Sequence, residues 1–427
     1  MTAEIAIANR SAVALATDSK VTLSGANGRQ KTYDTVDKLF SLSKTEPVGA
    51  MIYGNAEFMG FPWETIIKTY RRKEPRKRFD TIFDWADDLK KYLTSFFAFT
   101  GEDEGGVLQR MTTAAISQLS NNVLGNLDGN ATPDQIKQQL SDELEEHIAE
   151  LGPAQDFFTA DEWAAIAAAH QDLITRIATS GAARVMPEDR VRVLIELLVR
   201  KAAPSLSSSG LVVAGFGEKE LLPSIISFEI DGIIGGRLKL LETNRFDATR
   251  RSSTIIMPFA QTDMVYRFME GIDPTFEVQL LNAVGGIIRK TAVDTASVLG
   301  KSEDEIAGMS DALNAATTAA MDAFQKSTSV FRKRQFADPI TQMTGSLPKD
   351  ELANLAESLV SLTSLQRRVS RELETVGGAI DVAVISKGDG FVWIKRKHYF
   401  KADRNLRFVS SYFSEFGADQ PNPGDDQ

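Results

Sequence analysis

Thr2 follows an initiator methionine in MTAEIAIANR, so removal of Met1 would place a free α-amine beside the threonine hydroxyl on one residue. The small threonine side chain makes Met1 a plausible substrate for methionine aminopeptidase. A hydroxyl is a weak nucleophile at its own pKa, whereas an α-amine titrates near about 7.7–8.0 and can take the hydroxyl proton, usually through a water. Threonine at position 2 is common, so the pattern gains meaning only from its company. Asp18 follows the apolar run in ALATDSK and Lys38 opens KLFSL. A carboxylate and an ammonium at adjoining strand ends can form a buried pair whose cation favours the deprotonated amine and hydroxyl. Two solvated surface charges are the plainer alternative. Gly54, in MIYGNAEF, lies where an apolar run gives way to helical sequence. Its N–H, with no Cβ to obstruct a substrate, suits an oxyanion donor; a turn glycine is the plainer alternative.

Strands must hold these residues. AEIAIA (Ala3–Ala8) and AVALAT (Ala12–Thr17), split by NRS, predict one hairpin. KLFSLS (Lys38–Ser43) and VGAMIYG (Val48–Gly54), split by KTEP, predict a second, after a loop with Ser24, Gly25, Asn27 and Gly28. From about Ala56 the periodicity turns helical, as in Phe83–Phe97, Asp134–Leu151 and Arg190–Ala202. Thr132 before Pro133, and Thr159 with Glu162, are helix-start signals. Strands return at Leu211–Gly217, Ser224–Ile230, Arg237–Thr243 and Ser253–Phe259. A second helical block, about Gln261 to Glu374 with a break near Gly345–Pro348, precedes two last strands at Ala379–Lys387 and Phe391–Lys397, around Gly388-Asp389-Gly390. This order predicts an α+β fold whose sheets are covered by helix pairs. The stretch between Gly54 and Leu211 exceeds one crossover, so residues 56–205 read as a mainly helical insertion into a core of residues 1–55 and 206–412. Residues 413–427 read as a disordered acidic tail.

Composition narrows the function classes. The 427 residues are 43% hydrophobic and 25% charged, as expected of a folded globular chain. With 48 Lys+Arg against 58 Asp+Glu the net charge is −10, which disfavours nucleic acid and anionic membrane as partners. The absence of cysteine removes disulfides, thiolate nucleophiles and thiolate metal sites. Three scattered histidines, His147, His170 and His398, make a multi-histidine metal site improbable, and no cofactor is implied. No targeting signal and no run of 18 apolar residues is visible, so a cytoplasmic protein is expected.

The run TAEIAIANRSAVALATDSKVT, then DKLFSL, then GAMIYGNAEFMG resembles the start of proteasome β-type subunits, which are N-terminal nucleophile hydrolases. Thr2, Asp18, Lys38 and Gly54 fall in that family's order and near its spacing, with a few extra residues before Lys38. VVAGFGEKE and VGGAIDVAVISKGDGFVWI continue the likeness. The resemblance implies a four-layer αββα sandwich and a threonine peptidase. In it Thr2 is nucleophile and, through its amine, base; Lys38 tunes both, Asp18 holds Lys38, and Gly54 binds the oxyanion. It also implies Ile52 and Ala56 beside a first substrate pocket, a homo-oligomer acting on peptide or protein substrates, and a separate ATPase or regulatory partner for any driven unfolding. The sequence departs from the family pattern in two places. PFAQTDMVY offers Thr262 where a serine-containing turn is usual, and ELETVGG offers Glu374 and Thr375, displaced, with Val376 in place of a serine.

Other patterns read more plainly. Gly300-Lys301-Ser302 lacks the first glycine of a phosphate loop, and Ser302 with Glu305 reads as a capping box. AGFG lacks the third glycine of a dinucleotide site. The six cations of RRKEPRKR (Arg71–Arg78) and the carboxylates around His147 read as solvated helix surface. Three alternatives to a peptidase remain: an N-terminal nucleophile amidase of a small molecule, a catalytically inactive scaffold that binds a partner through its helices, and a proteolytic effector awaiting assembly.

Overall fold

The computed structural model describes residues 2–24, 30–73, 77–96, 99–127, 131–370, 376–398, 400 and 404–406. Met1, Gly25, Asn27, Gly28, Glu374, Thr375 and the acidic tail lie outside them. The chain opens with β1 (Ala3–Ala8), β2 (Val13–Thr17), β3 (Val21–Ser24), β4 (Gln30–Tyr33), β5 (Leu39–Ser41), β6 (Val48–Gly54), β7 (Glu57–Phe58) and β8 (Phe61–Pro62). Helices follow: α1 (Trp63–Lys73), α2 (Ile82–Ser95), α3 (Gly101–Asn126), α4 (Pro133–Leu151), α5 (Ala160–Ala169), α6 (Gln171–Ala178) and α7 (Glu188–Arg200). Four strands then run from β9 (Ser209–Gly215) and β10 (Ser224–Ile234) to β11 (Arg237–Asp247) and β12 (Ile255–Ala260). The second helical block holds α8 (Asp263–Glu270), α9 (Pro274–Val298), α10 (Glu303–Gly308), α11 (Ser310–Arg332), α12 (Asp338–Thr344) and α13 (Lys349–Val369). A last hairpin pairs β13 (Asp381–Ser386) with β14 (Gly390–Lys395).

This is a mixed α/β architecture with two five-stranded antiparallel sheets, ordered β12-β1-β2-β13-β14 and β11-β10-β9-β6-β5. Strand alternation decides what each face meets. In β1, Ala3, Ile5 and Ile7 pack with Val265 of α8 and with Leu352, Ala356, Leu359 and Val360 of α13. Ala6 and Ala8 point the other way, into one cluster with Met51, Tyr53, Val212 and Ala214 of the second sheet. The opposite face of that sheet, through Ala50, Ile52, Val213 and Phe228, packs on Trp63, Trp85, Leu89, Leu108 and Leu194 of the first helical block. Small alanines on the inter-sheet faces leave room for the aromatic rings of Tyr53, Phe216, Phe246 and Phe259 to fill the gap between the sheets.

Local signals set several boundaries. Thr132, Thr159 and Ser302 cap α4, α5 and α10 in reciprocal capping boxes, as expected, and Thr81 and Thr100 do the same for α2 and α3. Two elements differ from expectation. The loop after Lys20 forms the β3–β4 hairpin, with Val21 opposite Tyr33 and Thr22 opposite Thr32, because its β-branched and aromatic residues outweigh the polar loop between them. The stretch after Ala56, read as helical, first turns back through β7 and β8, with Met59 and Gly60 at positive φ, before α1 begins at Trp63. Among the described residues no helix is long and apolar enough to cross a membrane.

Gly210 shows how tightly the inter-sheet layer is set. A Cβ there would lie 2.0 Å from the Tyr53 ring, which stacks on Phe259 with centroids 5.5 Å apart. Gly210→Ala should therefore displace the ring and lower unfolding free energy by about 1–3 kcal/mol, the usual range for overpacking. Urea denaturation measures this, and an unchanged midpoint would mean that the ring can move aside freely.

Candidate functional site

The site is built where the first sheet meets the lead-in to the second. The Asp18 backbone N–H donates to the Ala3 carbonyl, and the Ala3 N–H donates back to Asp18 Oδ1 at 3.2 Å. Asp18 Oδ2 accepts from the backbone N–H of Lys20 at 3.3 Å and of Gly377 at 3.0 Å. Lys38, just ahead of β5, sends its ammonium to Asp18 Oδ1 at 2.7 Å and to the Lys20 carbonyl at 2.6 Å. Both side chains are buried, at 0% exposure for Asp18 and 5% for Lys38. A buried carboxylate with this many donors is held by charge-assisted hydrogen bonds, and the pair cancels its own charge.

Thr2 lies one peptide from that carboxylate. It is 2% exposed, its carbonyl accepts the Gln261 N–H at 3.1 Å, and among the described residues its hydroxyl has no hydrogen-bond partner. Continuing the alternation of β1, Thr2 faces the inter-sheet layer together with Ala6 and Ala8. Thr262, half-buried, follows Gln261 directly and begins α8 without a side-chain capping bond, so the structure brings it to the Thr2 end of β1.

Gly54 ends β6 and is exposed. Its φ of +74° and the 2.6 Å that would separate a Cβ from the Ser208 carbonyl both demand glycine. Its neighbour Tyr53 stacks on Phe259, which pairs with Glu4 in the first sheet, so the end of β6 lies against the start of β1. Ile52 is buried on the other face of β6, among Trp63, Ile66 and Leu211. Ala56 is half-buried and its carbonyl accepts the Trp63 N–H at 3.1 Å. Glu374 and Thr375 lie outside the described residues. The segment that follows them reaches the site all the same, with Val376 buried and Gly377 bonded to Asp18.

One residue at this site was not singled out in the sequence. Glu4 is 2% exposed and, among the described residues, neither carboxyl oxygen has a hydrogen-bond partner. By alternation it shares the inter-sheet face with Thr2, directly opposite Thr17 of β2, whose hydroxyl is likewise unpartnered. Burial pushes the Glu4 carboxyl well above its ordinary range; Lys38 pulls it down and Asp18 pushes it further up. Across the gap, the Tyr53 phenol is also pushed up, first by burial and then by Glu229. The signal was present in AEIAIA, where one acid interrupts an otherwise apolar run. Among the described residues no group of three or more His, Asp or Glu is gathered as a metal site would require.

No protein-family model and no curated protein matches the chain. Among solved structures it is similar to the Anbu (Gly-1) mutant from Hyphomicrobium sp. strain MC1, at 10% identity over 99% of each chain and a TM-score of 0.28. This corrects the resemblance to proteasome β-type subunits: an assignment to that family fails when no family model recognises the chain. A likeness at this identity and TM-score carries no argument in its place. Four matched positions and their strand breaks can arise from a shared local geometry, and what the site can do rests on that geometry alone.

The Asp18–Lys38 pair makes an asymmetric prediction. Asp18→Ala strands the ammonium and three backbone amides, and should cost about 3–5 kcal/mol of stability, as for other buried pairs broken at one partner. Lys38→Met leaves Asp18 its three backbone donors and should cost less. Chemical denaturation of both variants checks this, and equal losses would contradict a carboxylate-centred site.

Proposed function

We propose that the chain is a threonine-type N-terminal nucleophile hydrolase that cleaves peptide bonds, with a four-layer αββα core. The observation that carries the reading is the buried, unpartnered Thr2 hydroxyl one peptide away from a carboxylate that holds a buried lysine. After Met1 is removed, the Thr2 amine takes the hydroxyl proton as Oγ attacks the substrate carbonyl carbon. The Lys38 ammonium, fixed by Asp18, favours the unprotonated amine and the developing alkoxide. The Gly54 N–H, at the open edge of the site, binds the oxyanion. Collapse of the tetrahedral intermediate breaks the C–N bond, the protonated amine returns its proton to the leaving nitrogen, and an ester on Thr2 remains. Water attacks that ester with the same amine as base, releasing the acid and restoring the hydroxyl. We further propose that the working form is a homo-oligomer acting on peptide or protein substrates, with unfolding of larger substrates left to a separate ATPase or regulatory partner.

Intact mass before and after incubation with a peptide epoxyketone tests the reading, because that reagent requires a free α-amine beside a hydroxyl. The protein should lose one methionine and gain one inhibitor, and Thr2→Ala should gain none. A chain that keeps Met1 and takes no adduct would overturn the assignment and leave a partner-binding scaffold.

A further inference from the structure

Two carboxylates lie at this site in opposite circumstances. Asp18 is surrounded by donors, whereas Glu4, on the neighbouring strand, has none. Thr2 and Glu4 occupy successive positions of the inter-sheet face of β1, and Glu4 and Thr17 are directly paired across the ladder. Directly paired residues place their Cβ atoms about 4.5–5.5 Å apart. Three buried side chains with unsatisfied oxygens therefore stand together, the proposed nucleophile Thr2 among them. Such oxygens are rare in folded proteins and mark either a fault or a function.

We propose that Glu4 is a positioning residue of this site: held as a neutral acid between Thr2 and Thr17, it leaves Lys38 with a single carboxylate partner, so that the ammonium acts on the Thr2 amine and hydroxyl. The proposal rests on the Thr2 reading above and deepens it. Glu4 is buried with no hydrogen bond formed to either oxygen, which disfavours its charged form, and the neutral acid carries one O–H that a threonine oxygen can accept. The titratable groups about it are Lys38 and Asp18 at one end and the Tyr53 phenol, with Glu229 behind it, on the facing sheet. Thr17 and Phe259 flank it within its own sheet and do not titrate in the working range. With Glu4 neutral, Asp18 and Lys38 sum to zero charge. With Glu4 ionised, the same site carries a net negative charge that raises the pKa of the Thr2 amine and opposes the alkoxide and the oxyanion. An acid at this position sets an upper pH limit on the nucleophile.

Two measurements on wild type, Glu4→Gln and Glu4→Met separate the outcomes. The first is the thermal midpoint against pH. The unfolded chain releases the Glu4 proton above about pH 4.3, while the folded protein retains it. Wild-type stability therefore falls as pH rises through that value, until Glu4 ionises in the folded state. Neither variant has this proton to lose, so the wild-type midpoint should drop relative to both across that window. The second is the pH dependence of the rate of peptide-epoxyketone adduct formation. Near neutral pH, Glu4→Gln should react within about twofold of wild type, since one neutral group replaces another. At alkaline pH it should keep reacting where the wild type slows. Identical pH dependences of adduct formation would overturn the proposal, because a buried but merely structural Glu4 would move the midpoint alone. A folded Gln variant unreactive at every pH would also overturn it, by requiring the ionised form. Glu4→Met serves if Gln does not fold, and should show the same midpoint divergence and alkaline persistence. A wild type that forms no adduct at any pH, while its midpoint still diverges from the variants, would locate the failure in the Thr2 reading and remove the positioning role with it.

Discussion

The Asp18 carboxylate accepts hydrogen bonds from Ala3, Lys20, Gly377 and Lys38, four stretches of chain that otherwise have separate courses. Ala3 opens β1, Lys20 follows β2, Gly377 leads toward β13, and Lys38 leads into β5 of the other sheet. The contact thus ties three strands of one sheet to each other and to its neighbour. Burying a carboxylate is costly unless donors replace its water, and burying an ammonium is costly unless an anion lies close. Here each solves the problem of the other, and the backbone amides complete the shell. Loss of the carboxylate would affect the junction of the two sheets as well as one side chain.

The same strand pair holds Glu4 without donors, and the contrast is informative about charge. Glu4 and Asp18 are both nearly inaccessible, yet only Asp18 has hydrogen-bond donors on its carboxylate. Under the hydrolase reading proposed above, a second negative charge beside the amine would be unfavourable, and a neutral Glu4 leaves the Lys38 field available. Tyr53 contributes in the same direction, since burial keeps its phenol protonated beside the same layer.

Much of the framework was legible because it follows from local patterns. AEIAIA and VGAMIYG mark β1 and β6 to the residue, and the threonine and serine caps mark helix starts, since both signals act over a few residues. The pairing of Asp18 with Lys38 was legible as an opposite-charge pair at adjoining strand ends. Three features were not. The β3–β4 hairpin was hidden by the Gly- and Asn-bearing loop between its strands. The side chain of Ile52, which the resemblance implies beside a substrate pocket, packs toward the helices, a placement that only the folded strand gives. Glu4 was absorbed into an apolar run because its significance depends on Thr17 and Lys38, which only the folded sheet brings to it. The family assignment failed for a related reason: a few positions at strand ends describe a local geometry and do not define an ancestry.

The position of Thr2 depends finally on the place of β1 in its sheet. Residues at the start of a strand ordinarily fray, because fixing backbone costs about 1–2 kcal/mol per residue and few contacts repay it there. β1 lies between β12 and β2, paired to both from its first residues, with Ala3 opposite Ala260 and Glu4 opposite Thr17. The Gln261 N–H extends the ladder on one edge to the Thr2 carbonyl, and the Asp18 N–H closes the other edge at Ala3. Ala260, which precedes Gln261, adopts a φ of +60°, a conformation that alanine avoids and that costs about 1–3 kcal/mol where surrounding contacts enforce it. A sheet that only needed to bury Ile5 and Ile7 could let Thr2 move. Bonding on both edges, with strain accepted beside it, fixes Thr2 relative to Lys38, which is the fixed relative position that the proposed nucleophile role would require beyond a stable fold.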